Sequence, residues 1–166
     1  NSIQWIAHYM EVLKHYSDKD SISVEFGLNQ ANSTWALLAS KATQIHSVDI
    51  DVHKNPIKHL QVDKNIWAIH AQEGKQYQIH ECSSLDIQFK SIDFLFIDSL
   101  HTADHLKAEL DKHSSIVQNY IAIHDTQLFK KSYGTTIEDF LNEGIWEVER
   151  EFIDDSGLLI LKRADK

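Results

Sequence analysis

Two pairs of aspartate and histidine stand at similar places in the sequence, each directly after an apolar stretch. Asp98 and His101 follow FLFI, and His124 and Asp125 follow YIAI. An imidazole has an unperturbed pKa of about 6.5, so it can accept a proton from a substrate near neutral pH. Carboxylate oxygens are also the ligands that hard divalent cations prefer. These residue types indicate proton transfer, with or without a bound metal.

The elements that must position these residues alternate between strands and helices. SISVEFG (21–27) is a short β-branched run that ends in glycine, and NSTWALLASKA then predicts a helix capped by Asn32 or Ser33. An amphipathic helix precedes this pair, and the same alternation follows it. The first helix is predicted over 3–16. Two further helices are predicted over 51–64, with Pro56 near the first turn, and over 102–117, with Thr102 as the cap. The further strands are predicted over 44–50, 75–83, 91–98 and 119–125.

The last part of the chain has a different pattern. A helix is predicted over 135–144, and two strands, 145–153 and 157–163, flank a short Asp-Asp-Ser-Gly turn that is typical of a hairpin. Continuous apolar strands separated by helices favour a parallel sheet covered on both faces. We therefore predict an α/β fold with one domain over 1–166. It is a Rossmann-like, doubly wound sheet of seven strands, mostly parallel with the last antiparallel, and helices on both faces.

Composition and charge limit the classes of partner. The formal charge is −9 and no cluster of Lys and Arg extends beyond Lys130 and Lys131, which argues against nucleic acid. No segment approaches the roughly 20 apolar residues of a membrane span. The single cysteine, Cys82, excludes an internal disulfide and a thiolate zinc site. We expect a soluble, cytoplasmic protein that contacts neither nucleic acid nor membrane.

Polar residues end each predicted parallel strand. In open α/β sheets, ligands bind beyond the carboxyl ends of the strands, where the strand order reverses. Taken singly, an acid there is often only a helix cap and a serine only a turn residue. Their joint placement on one edge favours a binding site, and the residues concerned are Glu25, Gly27, Asp49, Asp51, Ser83, Ser84, Asp98, His101, His124 and Asp125.

These motifs together resemble class I S-adenosylmethionine-dependent methyltransferases. The resemblance is nearest to the small-molecule O-methyltransferase group that includes relatives of catechol O-methyltransferase, cephalosporin hydroxylase and macrolide sugar O-methyltransferase. It covers about 21–163 and rests on VEFGLNQANST, SVDID, ECSS, FLFIDSLHT, YIAIHDT and the closing WEVEREFIDDSGLLILKR. It implies methyl transfer from S-adenosylmethionine to a hydroxyl of a small molecule, for which a sugar is our expectation.

The resemblance also implies roles for single residues. In the family the first motif holds the methionine part of the cofactor, the acid of the second hydrogen-bonds both ribose hydroxyls, and the third flanks the adenine. The metal-dependent members take oxygen ligands for magnesium from the ends of the fourth and fifth strands. The cofactor residues so implied are Glu25, Gly27, Asn29, Ser33, Asp49, Ile50, Ser83, Ser84 and Asp98, and the metal ligands are Asp98 and Asp125.

His101 is the expected base, because it lies where catechol-type relatives carry their catalytic lysine, three residues after Asp98. His124 is the second candidate for this role. The metal is left open between magnesium and a softer ion such as manganese, which accepts a histidine ligand more readily. His124 could also act without any metal.

Two other functions stay open at this point. Asn29, Ala31 and Asn32 stand where relatives carry more glycine, so the chain could be an inactive, methyltransferase-like binding module. The aspartate and histidine residues could also belong to a metal-dependent hydrolase. Since the chain lacks the large cap of specialised members, we expect a site that is open or covered by the partner of a homodimer.

Overall fold

The structure, a computed structural model, describes residues 2–18, 22–28, 31–52 and 74–164, with side chains from His8 onward. Helices and strands are numbered in chain order within these residues. They are α1 (Ser2–Tyr16), β1 (Ile22–Phe26), α2 (Asn32–Leu38), β2 (Gln44–Asp49), β3 (Gln76–Glu81), β4 (Ile92–Ile97), α3 (Ala103–His113), β5 (Val117–His124), α4 (Lys130–Tyr133), α5 (Thr136–Asn142), β6 (Trp146–Phe152) and β7 (Leu158–Arg163).

The strands form one seven-stranded sheet in the order β3-β2-β1-β4-β5-β7-β6. All pairings among β1 to β5 are parallel, whereas β7 pairs antiparallel with both β5 and β6. The predicted doubly wound sheet with an antiparallel last strand is therefore confirmed. The order reverses at β1, because the chain proceeds outward through β2 and β3 and then returns to the other side of β1 as β4.

Helices cover both faces of the sheet, which explains why the central strands are apolar on both sides. On one face, Leu13 of α1 and Leu37 of α2 pack in the same cluster as Phe94 of β4. On the other face, Leu106 and Leu110 of α3 pack with Leu95 and Ile97 of β4, among others. Successive residues of β4 thus point to opposite cores.

Several predicted boundaries were wrong, among them the helix predicted from NSTWALLASKA, which ends at Leu38. The helix predicted over 102–117 ends at His113, a 3-10 turn follows over Ser114–Ile116, and Val117 already pairs with Ile92 as the first residue of β5. Serine competes with helical hydrogen bonding and β-branched residues suit a strand, which accounts for the earlier end. Neither Asn32 nor Ser33 caps α2, whose N-cap position is Ala31.

Some predicted features fall outside the described residues. They are Asn29, Pro56 and most of the helix predicted over 51–64. Among the described residues, no helix combines the length and the apolar character needed to cross a membrane.

Candidate active site

The carboxyl ends of β1 and β4 meet at Gly27. The Gly27 N–H donates to the carbonyl of Val48 at 2.9 Å, and the Asp98 N–H donates to the carbonyl of Phe26 at 2.9 Å. Gly27 has φ of 92°, and a Cβ at this position would stand 2.0 Å from the Asp98 carbonyl oxygen. Only glycine allows this approach in this conformation. A crevice therefore opens at the point where the strand order reverses.

Asp98, His101, His124 and Asp125 form one group of side chains, called the strand-end cluster below. His101 Nε2 lies 3.3 Å from Asp98 Oδ1 and 3.1 Å from Asp125 Oδ2. His124 Nδ1 lies 3.2 Å from Asp98 Oδ1 and 3.3 Å from Asp125 Oδ1. Each imidazole thus contacts both carboxylates. The structure brings together the four residues that the sequence placed at the ends of two strands.

The charges of the strand-end cluster stabilise one another. Hydrogen bonds to Asp125 and then Asp98 raise the pKa of His101 to about 9, although burial opposes this. Burial lowers the pKa of His124, but the hydrogen bond and charge of Asp98 leave it above its usual range. Burial likewise opposes ionisation of Asp98, yet the bonds from both histidines hold its pKa low. The sequence predicts His101 as a base from the unperturbed imidazole pKa of about 6.5, whereas the surroundings of His101 favour the protonated ring.

The segment after β5 holds the cluster from one side. The Phe129 ring stacks on the His101 ring with centroids 4.2 Å apart and an interplanar angle of 12°. Ser132 Oγ donates to the carbonyl oxygen of His101 at 2.5 Å. Asp125 has φ of 58°, which is uncommon outside glycine, and its carbonyl accepts from the Phe129 N–H at 2.9 Å. This turn sets the direction in which the Asp125 side chain leaves the backbone.

The first helix and the last hairpin hold the cluster from the opposite side. Ser156 Oγ lies 3.3 Å from His124 Nε2, so it takes the second nitrogen of that ring. The edge of the Tyr9 ring meets the His124 ring at 89° with centroids 5.7 Å apart. Burial, followed by the charge of Asp154, raises the pKa of Tyr9 to about 12. Tyr9 is therefore a hydrogen-bond donor and not a base at neutral pH.

A cavity of about 440 Å³ adjoins the cluster in the crevice. Its volume lies in the range of small-molecule sites. Asp98 and His101 line the cavity and also belong to the strand-end cluster, so these two residues form a wall that the cavity shares with the cluster. Predicted site residues that line the cavity also include Gly27, Asp49, Ile50, Ser83 and Ser84. The lining residues that the sequence analysis did not propose for the site are Phe26, Val48, Cys82, Ser99, Leu100 and His105.

Asp49 is held at the cavity wall by the backbone. Its Oδ2 accepts from the Leu28 N–H at 2.8 Å and its Oδ1 from the Asp51 N–H at 2.9 Å. A carboxylate oxygen has two acceptor positions, so among the described contacts each oxygen keeps one for a ligand. Asp49 can therefore accept further hydrogen bonds from a ligand.

Glu25 and Ser33 do not line the cavity. Glu25 is fully buried. Its Oε2 accepts from Ser33 Oγ at 2.6 Å, and its Oε1 accepts from the hydroxyls of Thr34 and Ser47. Burial raises the pKa of Glu25 to about 7 although these hydroxyls oppose the shift. In the described contacts the carboxyl fixes the start of α2 to β1 and β2.

Ala31 takes a left-handed conformation, with φ of 62° and ψ of 21°. Its N–H donates to the Leu28 carbonyl at 2.7 Å, which closes the turn before α2. The sequence drew attention to the scarcity of glycine in this turn, and the turn forms with alanine in a conformation that costs about 1 to 2 kcal/mol for an L-residue.

The cluster is chemically suited to a divalent metal. Asp98, His101 and Asp125 each offer one ligand atom, and these atoms lie within 4.8 Å of one another. Two carboxylates with an imidazole suit manganese, iron or zinc better than magnesium, which prefers oxygen ligands alone. This donor set would fit a transition metal, with His101 beside the two predicted ligands.

Glu109 is a residue that sequence reasoning missed. It lies on α3, is fully buried, and contacts Ser84 and Ser99 of the cavity wall. A signal was available, because position 109 falls between Leu106 and Leu110 on the apolar face of the helix. An acid at such a position indicates a buried, hydrogen-bonded carboxyl.

No protein-family model and no curated protein matches the chain by sequence. Solved methyltransferases share its fold. NodS, an N-methyltransferase of Bradyrhizobium japonicum, has a TM-score of 0.67 and 10% identity over 99% of this chain and 97% of NodS. An rRNA methylase of Streptococcus thermophilus has a TM-score of 0.65 and 12% identity over 96% of both chains. A methyltransferase of Podospora anserina, solved with S-adenosylhomocysteine, has a TM-score of 0.59 and 13% identity over 95% of this chain and 77% of that one. The chain thus has the methyltransferase form of the α/β fold.

Proposed function

We propose that this protein transfers a methyl group from S-adenosylmethionine to a hydroxyl of a small molecule. The observation that carries the proposal is the shared wall between the cavity and the strand-end cluster, formed by Asp98 and His101. A cofactor in the cavity would end beside the groups that can accept a proton. The fold shared with solved methyltransferases supports the same assignment.

The cavity offers a partner for each part of the cofactor. Asp49, with one acceptor position free on each oxygen, suits the two ribose hydroxyls. Ile50 and Leu100 are 75% and 60% exposed and line the cavity, so they offer apolar surfaces for the adenine ring. Ser83 and Ser84, which also line the cavity, would face the edge of that ring. The methionine part would lie toward Gly27, which also lines the cavity.

The chemical step is a direct displacement. The acceptor oxygen forms a bond to the methyl carbon as the carbon–sulfur bond breaks, and the sulfonium becomes a neutral thioether. The hydroxyl proton leaves to a base, for which we propose His101 in its neutral form. The adjacent carboxylates make this imidazole more basic than a free one, so the neutral ring has a larger driving force for taking the proton. His124 is the second candidate.

A divalent metal at Asp98, His101 and Asp125 forms part of the proposal. When bound, it would make a coordinated hydroxyl more acidic. It would occupy the nitrogen of His101 that now contacts both carboxylates, and His124 would then be the histidine left to accept the proton. Because there are two histidines, the proton can be removed whether or not a metal is bound to His101.

We infer a small polyol, such as a sugar, as the acceptor. The strand-end cluster and the nearby hydroxyl of Ser156 offer several polar groups within a small space, each able to bond a hydroxyl. A nucleic acid is not part of the proposal, because the chain carries a formal charge of −9 and phosphates need clustered cations.

The first test is a calorimetric titration with S-adenosylmethionine and S-adenosylhomocysteine, with and without Mn²⁺. The proposal requires binding of both, followed by methyl transfer to one member of a panel of sugars and polyols. His101→Ala should reduce turnover at least about a hundredfold with cofactor affinity retained. His15→Ala, which removes an exposed histidine of α1, is the matched control and should leave turnover unchanged.

Two outcomes would contradict the proposal. If neither compound binds under any metal condition, the turn at Ala31 does not support a cofactor site, and a binding module without activity becomes the better assignment. If the protein instead cleaves a substrate with metal and without S-adenosylmethionine, it is a metal-dependent hydrolase.

A further inference from the structure

A buried carboxyl lies directly behind the wall of the cavity. Glu109 Oε1 accepts hydrogen bonds from Ser84 Oγ at 2.6 Å and from Ser99 Oγ at 2.7 Å. His105 Nε2 lies 3.2 Å from the same oxygen. The other oxygen, Oε2, is buried and has no hydrogen-bond partner among the described residues. Three polar side chains of the cavity wall thus converge on a single acceptor atom.

The direction of the serine hydroxyl protons determines whether this wall presents hydrogen-bond donors or acceptors to a ligand. A serine hydroxyl has one proton and two lone pairs. Ser84 and Ser99 both line the cavity, and each directs its proton to Glu109. If Glu109 is neutral with its proton on Oε2, then Oε1 is a carbonyl oxygen and still accepts. With Glu109 ionised, or neutral with its proton on Oε2, the two hydroxyls keep only lone pairs for a ligand in the cavity.

The backbone of Ser84 is also fixed. His113 Nε2 lies 2.8 Å from the Ser84 carbonyl oxygen, and His113 is 1% exposed. Burial lowers the pKa of His113, so the ring is neutral and Nε2–H donates to this carbonyl. Ser84 is therefore held both at its carbonyl and at its hydroxyl. Rotation of the hydroxyl proton toward a ligand would leave Glu109 with one donor fewer.

The same contacts argue against a hydrolytic relay. His105 Nε2 faces both Glu109 Oε1, at 3.2 Å, and Ser84 Oγ, at 3.4 Å. A relay that activates serine uses one ring nitrogen for the serine and the other for the acid. Here one nitrogen serves both, and the serine proton is already donated to the carboxyl. These contacts therefore leave Ser84 able to accept a hydrogen bond from a ligand, but do not arrange it as a nucleophile.

We propose that Glu109 is a positioning residue that makes this wall select a ligand amino group over a carbonyl oxygen. It acts through Ser84 and Ser99, which line the cavity and whose remaining lone pairs would accept from an N–H and repel an oxygen. This inference rests on the proposed function, because that function makes the ligand a purine nucleoside. The inference adds a reason why the purine must be adenine. A hypoxanthine base, which has a carbonyl oxygen in place of the amino group, is rejected.

The test compares S-adenosylhomocysteine with S-inosylhomocysteine, which differ at that group, by calorimetric titration of the full chain. The wild-type protein should bind the adenosyl compound at least about tenfold more tightly, because a hydrogen bond is replaced by two facing acceptors. Glu109→Leu releases both serine protons, which can then turn to a carbonyl, and the ratio should fall to about one. Asp111→Asn removes an exposed carboxyl of the same helix and should leave the ratio unchanged.

Thermal unfolding of each variant shows whether it is folded. If Glu109→Leu does not fold, the double variant Ser84→Ala, Ser99→Ala replaces it, and the adenosyl preference should again disappear. Equal binding of both compounds by the wild-type protein would overturn the inference and leave the proposed function standing. A ratio retained in the folded Glu109→Leu variant would also overturn it. Failure of both compounds to bind would contradict the proposed function itself, and the inference with it.

Discussion

A Cβ on Gly27 would stand 2.0 Å from the carbonyl oxygen of Asp98 and 2.7 Å from its carbonyl carbon. Both atoms are backbone, so β1 and β4 would have to separate to admit a side chain. This contact therefore determines the width of the crevice in which the cavity lies.

Gly27→Ala should lower the free energy of unfolding by about 2 to 5 kcal/mol, from the overlap together with the strain of φ at 92°. Denaturant unfolding measures this change. Gly144→Ala is the matched control, since Gly144 also has positive φ, at 72°, but a Cβ there meets nothing within 4 Å. This substitution should lower the free energy of unfolding by only about 1 to 2 kcal/mol. Equal losses in the two variants would mean that the contact with Asp98 is not tight.

Ala31→Gly should behave differently from the same substitution inside α2. At Ala31 glycine relieves the left-handed strain, whereas at Ala36, also buried, it introduces glycine into a helix interior. Both variants lose one methyl group. We expect Ala31→Gly to be more stable than Ala36→Gly by about 2 kcal/mol in denaturant unfolding. Indistinguishable midpoints would exclude the left-handed turn.

Glu25→Gln should alter how stability depends on pH. The pKa of Glu25 is about 7 in the folded chain against an ordinary 4.5, so the folded state binds the extra proton between these values. This contribution is fully present below pH 4.5 and is lost as the pH rises to 7. Between pH 5 and pH 8, the free energy of unfolding of the variant should therefore rise by about 2 to 3 kcal/mol relative to that of the wild type.

Unfolding in urea at several pH values measures this difference. Glu138→Gln, an exposed acid on α5, is the control and should follow the wild type. A difference between Glu25→Gln and the wild type that is constant from pH 5 to pH 8 would show that Glu25 is ionised throughout.

The strand-end cluster should bind one transition-metal ion per chain. Visible absorption during titration with Co²⁺ reports the binding without any need for activity. Asp125→Asn removes one carboxylate of the cluster and should weaken binding at least about tenfold. Asp104→Asn, at an exposed position of α3, should bind as the wild type does. Equal affinity in the wild type and Asp125→Asn would place the ion elsewhere.

Much of the fold follows from the sequence because the pattern of each strand is strong. The run at Ile92–Ile97 is apolar on both faces, and a strand between two helical layers requires this pattern. The hairpin of β6 and β7 is equally clear from its turn. The end of α3 was less clear, since the pairing of Val117 with Ile92 is a tertiary contact that local propensity does not contain.

The candidate site was only partly predictable. Residues at the ends of β4 and β5 could be placed together, because parallel strands present their carboxyl ends at one edge. The pKa of His101 could not be predicted, since it depends on the distances from His101 to Asp98 and Asp125 in the folded chain. Ser99, Leu100 and His105 line the cavity from the loop and helix after β4, and their direction depends on the course of that loop.

The hydrogen bond from the Tyr9 hydroxyl to the Asp154 carbonyl joins residues 145 positions apart at a distance of 3.0 Å. Contacts of such high sequence separation carry a large loop-closure entropy and form slowly. The side of the strand-end cluster that Tyr9 and the hairpin supply is therefore expected to assemble after the central parallel strands. A partly folded chain could hold Asp98 beside His101 and still lack the surface on which an acceptor would rest.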